Sequence, residues 1–235
     1  MNKSTVAEIR ERFDNDVERF SNLDTGQLST IDAKTSLELL TEASKRIVPN
    51  AENLLDVGCG AGNYTLMMLS KVPNLKCTLV DLSKPMLDKA FERVSKETNN
   101  HVKIFQGDIR EIEIKENNFD IILAGAVLHH LRDDEDWERT FGKLYRLLRP
   151  GGCLMISDLI TQDTEVLTNY IWERYGDYLE ELDGKEYRAK VLDYIAKEDT
   201  PRSLNYQLDL MKKVGFKSVE IFHKNMCFGA FGGIK

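Results

Sequence analysis

The fold is decided by the stretch Leu54-Leu55-Asp56-Val57-Gly58-Cys59-Gly60-Ala61-Gly62-Asn63. A short apolar run that contains one acidic residue is followed by three glycines at alternate positions. This pattern predicts a buried strand that turns sharply into a helix. Glycine permits backbone angles that a side chain forbids, and it lets a ligand lie against the main chain. Because the following helix offers free N–H groups above the turn, the stretch predicts a nucleotide-like ligand.

The spacing of the glycines narrows the choice of ligand. A dinucleotide fingerprint has the form G-x-G-x-x-G. Here Gly62 comes one residue early and Asn63 takes the place of the third glycine. The carboxylate of Asp56, just before the turn, repels a pyrophosphate and attracts an ammonium. The stretch therefore favours a ligand with an amino-acid ammonium over a dinucleotide.

Further apolar runs along the chain end in polar or small residues. They are Cys77–Val80 before Asp81, Val102–Gln106 before Gly107 and Asp108, Phe119–Ala124 before Gly125, and Cys153–Ser157 after the predicted turn Arg149–Gly152. Asp81 follows the glycines by about twenty residues, the interval of one β-α-β unit, and an acid there can accept both hydroxyls of a ribose. Asp108 could accept the exocyclic amine of an adenine.

Taken in this order, the motifs resemble those of class I S-adenosylmethionine (SAM)-dependent methyltransferases, over roughly residues 50–160. The resemblance implies SAM as cofactor and S-adenosylhomocysteine as product. It places Gly58, Gly60 and Gly62 beneath the methionine moiety, with Asp56 close to its ammonium.

The same resemblance assigns the other cofactor contacts. They are Cys59 in the turn, Asp81 on the ribose, Leu82 and Met86 on the adenine side, Gly107, Asp108 and Ile109 around the adenine, and Ala124 and Gly125 near the sulfonium. Gln27 lies where family members close a segment over the cofactor, and we expect it in the pocket.

The alternation of strands and helices predicts an α/β fold with a mostly parallel sheet covered on both faces. Helices are predicted at about Asn63–Lys71, Lys84–Glu97, Asp136–Leu148 and Ser203–Val214. Strands at Lys217–His223 and Met226–Gly232 are joined so tightly that they must be antiparallel. With the resemblance, this gives a doubly wound seven-stranded sheet with an antiparallel last strand, N-terminal helices and a helical lid insertion.

The chain is predicted to form one domain with four parts. These are an N-terminal helical cap (1–52), a SAM-binding core (53–160), a helical lid insertion (161–201), and a C-terminal helix with a β-hairpin (202–235). The insertion is rich in Tyr and Trp at helical spacing. These aromatic side chains form either a packed core or a cation–π surface toward the sulfonium, and both readings stay open.

The implied reaction is an in-line displacement at a methyl group, for which a base is needed when the acceptor has a high pKa. His129 and His130 follow the fourth strand, and His129 is our first choice as base. The alternative is that one of the two lies near the cofactor and the other packs or faces solvent. Asp158 could contact the acceptor, or it could act as a cap or bind water.

The composition of the chain limits the binding partners and the cellular compartment that we expect for it. The formal net charge of −7 argues against a nucleic-acid surface, which needs clustered Lys and Arg. The four cysteines are dispersed, which indicates free thiols in a reducing compartment. No apolar run has membrane length and no signal peptide is visible, so we expect a cytoplasmic protein. No metal site is expected, and the oligomeric state stays open, with a homodimer as one option.

Three functions compete. The first is methylation of a small molecule; methylation of bases in nucleic acid is disfavoured because Ala124–Val127 stands where an Asn/Asp-Pro-Pro-Tyr-type motif is expected. The second is modification of SAM itself, because Gln106–Ile112 and the segment from Val214 to Gly229 are similar to carboxy-SAM synthase. In that case an arginine of the insertion must meet the added carboxylate, and Arg188 is the nearest match. The third is a non-catalytic SAM-binding subunit.

Overall fold

The computed structural model of the protein describes residues 3–22 and 28–235. In this part of the chain, one sheet contains seven strands. The strands are β1 (Asn53–Val57), β2 (Lys76–Asp81), β3 (Val102–Gln106), β4 (Phe119–Gly125), β5 (Leu148–Leu159), β6 (Ser218–Asn225) and β7 (Phe228–Ile234). The predicted α/β fold class is confirmed.

Helices cover both faces and the top of the sheet. Among the described residues they are α1 (Val6–Asp14), α2 (Val17–Ser21), α3 (Ala33–Ile47), α4 (Asn63–Lys71), α5 (Lys84–Glu97), α6 (Asp134–Leu147), α7 (Glu165–Glu198) and α8 (Leu204–Val214). A single 3₁₀ turn, Leu128–His130, follows β4.

The predicted bounds of α4 and α5 agree with the structure, and those of α6 were wrong at the start. Helix α6 begins two residues earlier than predicted because the side chain of Asp133 accepts the N–H of Asp136 and caps the first turn. The turn predicted at Arg149–Gly152 is part of β5. The pairing of β5 with β4 shifts register between Phe119 and Ile121, which accommodates that irregular segment.

The strand order is β3-β2-β1-β4-β5-β7-β6. Strands β1 to β5 are parallel, and β7 runs antiparallel to both β5 and β6. The order reverses between β1 and β4, whose ends lie side by side through the pair Val57 and Ala124. Loops after these two strands leave in opposite directions, so a crevice opens at the carboxyl edge of the sheet.

The core has two layers because both faces of the parallel strands are buried. On one face, Leu55 of β1 packs in a cluster with Trp137 of α6 and Leu210 of α8. On the other face, Leu54 of β1 packs in a cluster with Leu87 of α5. Neighbouring residues of a strand point to opposite faces, which explains why the central strands read as continuous apolar runs.

Helix α7 consists of two halves, because its backbone leaves the helical region at Asp183 and at Gly184, which has a φ of 81°. The halves pack against each other: Leu179 and Val191 share a hydrophobic cluster, and Arg188 covers Gly176 so closely that a Cβ there would lie 2.8 Å from the guanidinium carbon. The insertion is therefore a helical hairpin above the carboxyl edge of the sheet.

All four cysteines are free and buried. Cys59, Cys77 and Cys153 belong to or adjoin the parallel strands, as expected, and Cys227 precedes β7. None of the helices in residues 3–22 and 28–235 combines the length and the apolar character that a membrane crossing needs.

Candidate active site

A cavity opens at the carboxyl edge of the sheet, between the ends of β1, β2, β4 and β5. Of the residues that the sequence motifs singled out for the cofactor, those that line it are Asp56, Gly58, Cys59, Gly60, Asp81, Leu82, Met86, Gly107, Asp108, Ile109 and Gly125. His129 and Asp158 line it as well. The tertiary structure thus places the carboxyl ends of several strands around the same crevice.

The three glycines of the turn have different roles, although each has a positive φ. A Cβ on Gly58 would lie 2.5 Å from Cγ2 of Val127, and a Cβ on Gly62 would lie 3.2 Å from Cγ2 of Val94 on helix α5. A Cβ on Gly60 would meet nothing within 4 Å. Gly58 and Gly62 are therefore required by packing, whereas Gly60 borders open space in the cavity. Gly62 does not line the cavity, which departs from its predicted role.

Asp81 connects the end of β2 to the glycine turn. Its Oδ2 accepts the N–H of Gly60 at 2.8 Å, and its Oδ1 accepts the N–H of Ser83 at 2.8 Å. Burial raises the pKa of Asp81, and these backbone donors oppose the shift. Each carboxylate oxygen keeps a further lone pair, so Asp81 can still accept the hydroxyls of a ribose.

Asp56 lies inside β1 and is buried, yet it borders the cavity. Its Oδ2 accepts the hydroxyl of Thr65 at 2.7 Å. Burial raises the pKa of Asp56 to about 7, and the bond from Thr65 opposes this shift. No described residue forms an ion pair with Asp56, so its carboxylate gains most from a cation that enters the cavity.

The adenine side of the cavity is apolar, with one acid. Leu82, Met86 and Ile109 line it and supply flat apolar contact area. Asp108 is held by Arg110, whose Nε lies 3.0 Å from both carboxylate oxygens. Burial opposes ionisation, but Arg110 keeps the pKa of Asp108 below its usual value. An adenine amine that bound this carboxylate would share it with Arg110. The sequence did not indicate the pairing of Asp108 with Arg110.

The end of β4 departs from the prediction at one position. Gly125 lines the cavity, but Ala124 does not, because it lies inside the strand with its side chain in the hydrophobic core. A Cβ on Gly125 would lie 2.6 Å from a ring carbon of Tyr64, so this glycine is required by packing. Gln27, predicted in the pocket, falls outside the described residues.

His129 is buried and bonded to Asp158. Its Nδ1 contacts Oδ1 of Asp158, and its Nε2 lies 3.7 Å from Oδ1 of Asp199. Asp158 also accepts the backbone N–H groups of Leu128 and Leu159, both at 2.8 Å. Burial alone lowers the pKa of His129, but the two carboxylates outweigh burial and raise it to about 9. The role of His129 as a base stays a prediction.

His130 contacts the other side of Asp199. Its Nδ1 lies 3.0 Å from Oδ1 of Asp199, although the contact lacks hydrogen-bond geometry. Burial and the positive charge of His129 lower the pKa of His130. Thr200 donates its backbone N–H to the carbonyl of His129 at 2.7 Å, which fixes the end of α7 beside the two histidines. Sequence reasoning missed Asp199, because no local pattern marks a residue that follows a long helix.

The N-terminal helices and the insertion both line the cavity. Arg12 of α1 holds Glu198 of α7 with three hydrogen bonds, two from Nε at 2.8 and 2.9 Å and one from Nη2 at 2.6 Å. The guanidinium of Arg12 also lies over the rings of Phe13 and Tyr194, at 4.3 and 5.0 Å from their centroids. Arg12, Phe13 and Tyr194 all line the cavity, and sequence reasoning did not place them there.

Asn63 fixes helix α2 to the glycine turn. Its Nδ2 donates to the carbonyl of Phe20 at 2.8 Å, and its Oδ1 accepts a bond from Arg93 at 2.9 Å. Arg93 also donates to the carbonyl of Ala61 at 2.6 Å. The residue that replaces the third glycine of a dinucleotide fingerprint therefore holds a covering element in place.

Comparison with known proteins supplies the family. A model described as a methyltransferase domain matches residues 54–152. A carboxy-S-adenosyl-L-methionine synthase of Mannheimia succiniciproducens is 30% identical over 210 residues, which are 86% of this chain and 83% of that protein. The chain belongs to the class I SAM-dependent methyltransferase family. A demethylmenaquinone methyltransferase of Listeria welshimeri is 26% identical over 196 residues, or 81% of each of the two proteins.

The fold of this methyltransferase also occurs in a solved structure from Thermotoga maritima that is described as a SAM-dependent methyltransferase. The two chains are 20% identical with a TM-score of 0.63, and the match covers 98% of this chain and all of the other. SAM is the cofactor of the family, and the cavity fits it. Gly60 borders open space, Asp56 offers an acid for an ammonium, and Asp81 offers lone pairs for a ribose.

Proposed function

We propose that the protein transfers a methyl group from SAM to a small-molecule acceptor. The observation that carries this proposal is the continuity of one cavity. Its lining runs from the glycine turn, through Gly125 and Ala126 at the end of β4, to the chamber around His129, His130 and Asp199. A cofactor on the turn and an acceptor in the chamber would therefore meet at the end of β4.

SAM, when bound, supplies a methyl group activated by a positively charged sulfur. The residues of this chain position the two reactants and exclude water. Asp56 attracts the ammonium of the cofactor, Asp81 accepts the ribose hydroxyls, and Asp108 accepts the adenine amine. Positioning of this kind accounts for much of the acceleration in a displacement reaction.

The positions of helices α1, α2 and α7 support the proposal that the acceptor is a small molecule rather than a macromolecule. Phe13 and Phe20 from the N-terminal helices and Tyr175 and Tyr194 from the insertion line the chamber. These elements cover the carboxyl edge of the sheet, and the Arg12–Glu198 pair joins them. Cover of this kind limits the access of water to the reacting groups and the size of the acceptor that can enter.

His129 is our proposed contact with the acceptor on the β4 side, because it lines the cavity directly after this strand. A loss of turnover in His129→Ala with SAM affinity preserved would support a role at the acceptor. Full activity in this variant would remove His129 from the site.

A second candidate function is the synthesis of carboxy-SAM, which the relative in Mannheimia favours. The location of Arg188 weighs against it. Its Nη1 lies 3.0 Å from Asp177 and 3.2 Å from Glu180, within the helical hairpin, and Arg188 does not line the cavity. Among the described residues, the arginines that line the cavity are Arg12, Arg19 and Arg110, and Arg110 is bonded to Asp108. Arg19 could meet an added carboxylate only after leaving Asp16, which it contacts at 2.5 Å.

The test is the identity of the molecule that the purified protein carries. Native mass spectrometry before and after denaturation would show SAM or S-adenosylhomocysteine for a methyltransferase. A species heavier than SAM by one carbon dioxide would establish the second candidate instead. Acceptor screening with SAM labelled at the methyl group follows, with Asp81→Ala as the control that lacks the cofactor site. Transfer of label to no small molecule, by a protein that binds SAM, would contradict the proposal.

A further inference from the structure

The chamber contains a group of three side chains whose close approach to one another the proposed reaction does not explain. His129, His130 and Asp199 each present one potential ligand atom, and these atoms all lie within 4.8 Å of one another. Oδ1 of Asp199 is the common neighbour, at 3.0 Å from Nδ1 of His130 and 3.7 Å from Nε2 of His129. All three residues line the cavity.

Several polar atoms of this group are buried without a hydrogen-bond partner. Among the described residues, both ring nitrogens of His130 and Oδ1 of Asp199 are in this state. The side chain of Asp199 is only 2% exposed. Buried polar atoms are nearly always satisfied by protein, by water or by an ion, because an unsatisfied one costs about 1–3 kcal/mol. The two nitrogens of one imidazole point in different directions, so one ring nitrogen of His130 and Oδ1 of Asp199 can face the same point. Together with Nε2 of His129 nearby, these two unsatisfied atoms indicate a bound species.

The surroundings of His129 resemble the outer sphere of a metal site. A metal-binding histidine commonly donates its second ring N–H to a carboxylate, which fixes the tautomer and directs the free lone pair at the ion. Asp158 takes this place, since it contacts Nδ1 of His129 and leaves Nε2 directed toward Asp199. Asp158 is itself fixed by the backbone N–H groups of Leu128, His129 and Leu159.

We propose that a divalent transition-metal ion binds between Nε2 of His129, a ring nitrogen of His130 and Oδ1 of Asp199. Ligand atoms at about 2.0–2.2 Å from such an ion are separated by roughly 3.0–3.6 Å. The separation of 3.0 Å between His130 and Asp199 falls in that range, and the separation of 3.7 Å between His129 and Asp199 lies just above it. Two imidazoles and one carboxylate suit Zn²⁺, Fe²⁺ and Mn²⁺, and they leave coordination positions open. The open positions face the chamber, because all three side chains line it.

The charges agree with an ion of this kind. Asp158 and Asp199 are two buried carboxylates within contact of the histidines. Arg12, whose side chain also lines the cavity, is already bonded to Glu198. A divalent cation that bound the two imidazoles in their neutral form would balance both carboxylates at once. This inference does not rest on methyl transfer, because ion binding can be measured without acceptor or SAM.

The test is a titration of chelator-treated, dialysed protein with Zn²⁺ by calorimetry, repeated with Co²⁺ to record its visible absorption bands. We expect one equivalent to bind with micromolar or tighter affinity, and Co²⁺ bands that indicate nitrogen and oxygen ligands. Asp199→Asn and His130→Ala should each weaken binding at least tenfold. Asp158→Asn should weaken it by about 10–100-fold, as is typical for an outer-sphere partner.

His223→Ala is the matched control, because His223 is a second carboxylate-bound histidine, 2.8 Å from Asp32 and far along the chain on β6. It should bind the ion as the parent protein does. SAM titrations of the same variants show whether each is folded. If one of them is not folded, the Zn²⁺ titration is made with His130→Gln instead. Absence of a stoichiometric Zn²⁺ site, or a site equally strong in Asp199→Asn and His130→Gln, would overturn the proposal and leave water as the partner of these atoms.

Discussion

The Oδ2 atom of Asp81 accepts the backbone N–H of Gly60 at 2.8 Å, so the acid at the end of β2 holds the glycine turn at the end of β1. The register of the two strands brings this about, because β1 and β2 are parallel neighbours with Val57 opposite Val80. The Oδ1 atom of Asp81 accepts the N–H of Ser83 at the start of α5. One carboxylate thus fixes two loops of the cofactor site.

Replacement of Asp81 by Asn should weaken SAM binding by about 10–100-fold, because hydrogen bonds to a charged acceptor contribute about 1.5–3 kcal/mol. The amide also places donors where the ribose hydroxyls and Gly60 require acceptors. Calorimetric titration with SAM measures the effect. Asp88→Asn, at an exposed position of α5, is the matched control and should bind as the parent does. Equal affinity in the two variants would refute the role of Asp81.

SAM affinity should increase as the pH rises through about 7, because burial raises the pKa of Asp56 to that value. Below pH 7 the carboxyl is protonated and attracts an ammonium weakly, so affinity should change by up to about tenfold per pH unit. The increase of SAM affinity with pH should level off above the pKa of Asp56. Titrations from pH 6 to pH 8.5 test this, and Asp56→Asn should remove this component. A slope that persists in Asp56→Asn would assign it to another group.

The raised pKa of Asp56 also predicts how the stability of the ligand-free protein changes with pH. The pKa of Asp56 is raised from 3.8 in the reference state to about 7 in the fold, so the folded state binds more protons between these values. The contribution of Asp56 to the free energy of unfolding therefore falls as the pH rises through this window. Urea unfolding of the parent and of Asp56→Asn at pH 5 and at pH 8 isolates this contribution. A contribution of Asp56 that is larger at pH 8 than at pH 5 would contradict the prediction.

Alanine at Gly58 and at Gly60 should have different consequences. Both residues have a positive φ, so either substitution costs about 1–2 kcal/mol in backbone strain. At Gly58 the new Cβ also collides with Val127, and the free energy of unfolding should fall further. At Gly60 the Cβ enters open cavity space, so the main loss should be in SAM affinity.

Urea unfolding and SAM titration of the two variants separate these effects. Val127→Ala combined with Gly58→Ala should restore part of the stability, since it removes both Cγ atoms of Val127 and leaves only its Cβ, 2.7 Å from the new Cβ. The interpretation of Gly60 fails if Gly60→Ala binds SAM as tightly as the parent protein.

Replacement of Arg12 by Met should detach α1 from the insertion. The substitution leaves Glu198, whose side chain is 8% exposed, without its cation, which should cost about 1–3 kcal/mol. Hydrogen exchange measured by mass spectrometry should accelerate in residues 3–14 and near the end of α7. Arg10→Met, at an exposed position of the same helix, is the control. Unchanged exchange in Arg12→Met would show that the pair does not hold the covering elements together.

Much of the fold could be predicted because its signals are local. An apolar run, a glycine turn and the Ser83 cap of α5 each depend on a few neighbouring residues. The helical cap predicted for residues 1–52 shows the limit of such signals, since Ile9 of α1 is buried whereas Val6 of the same helix is 43% exposed. Periodicity shows which residues share a face of a helix, but not how much of that face another element covers.

The structure brings most of the residues that the motifs assign to the cofactor to one cavity, but their role in binding stays a prediction. Asp56, Gly60 and Asp81 lie in motifs whose spacing follows from one β-α-β unit. Ala124 and Gly62 were placed in the cavity because they belong to the same motifs, but their positions relative to the edge of the sheet keep them out of it. Position within a motif does not determine the direction of a side chain.

By itself, the sequence determined the α/β fold, the family and most of the strand ends that line the cavity, because these depend on residues close together in the chain. Only the tertiary structure decided which residues enclose the chamber around His129. Asp199 comes within 3.0 Å of His130 across 69 positions of sequence, and Arg12 reaches Glu198 across 186. Such contacts depend on how the N-terminal helices and the helical hairpin pack on the sheet, and no local pattern in the chain records that packing.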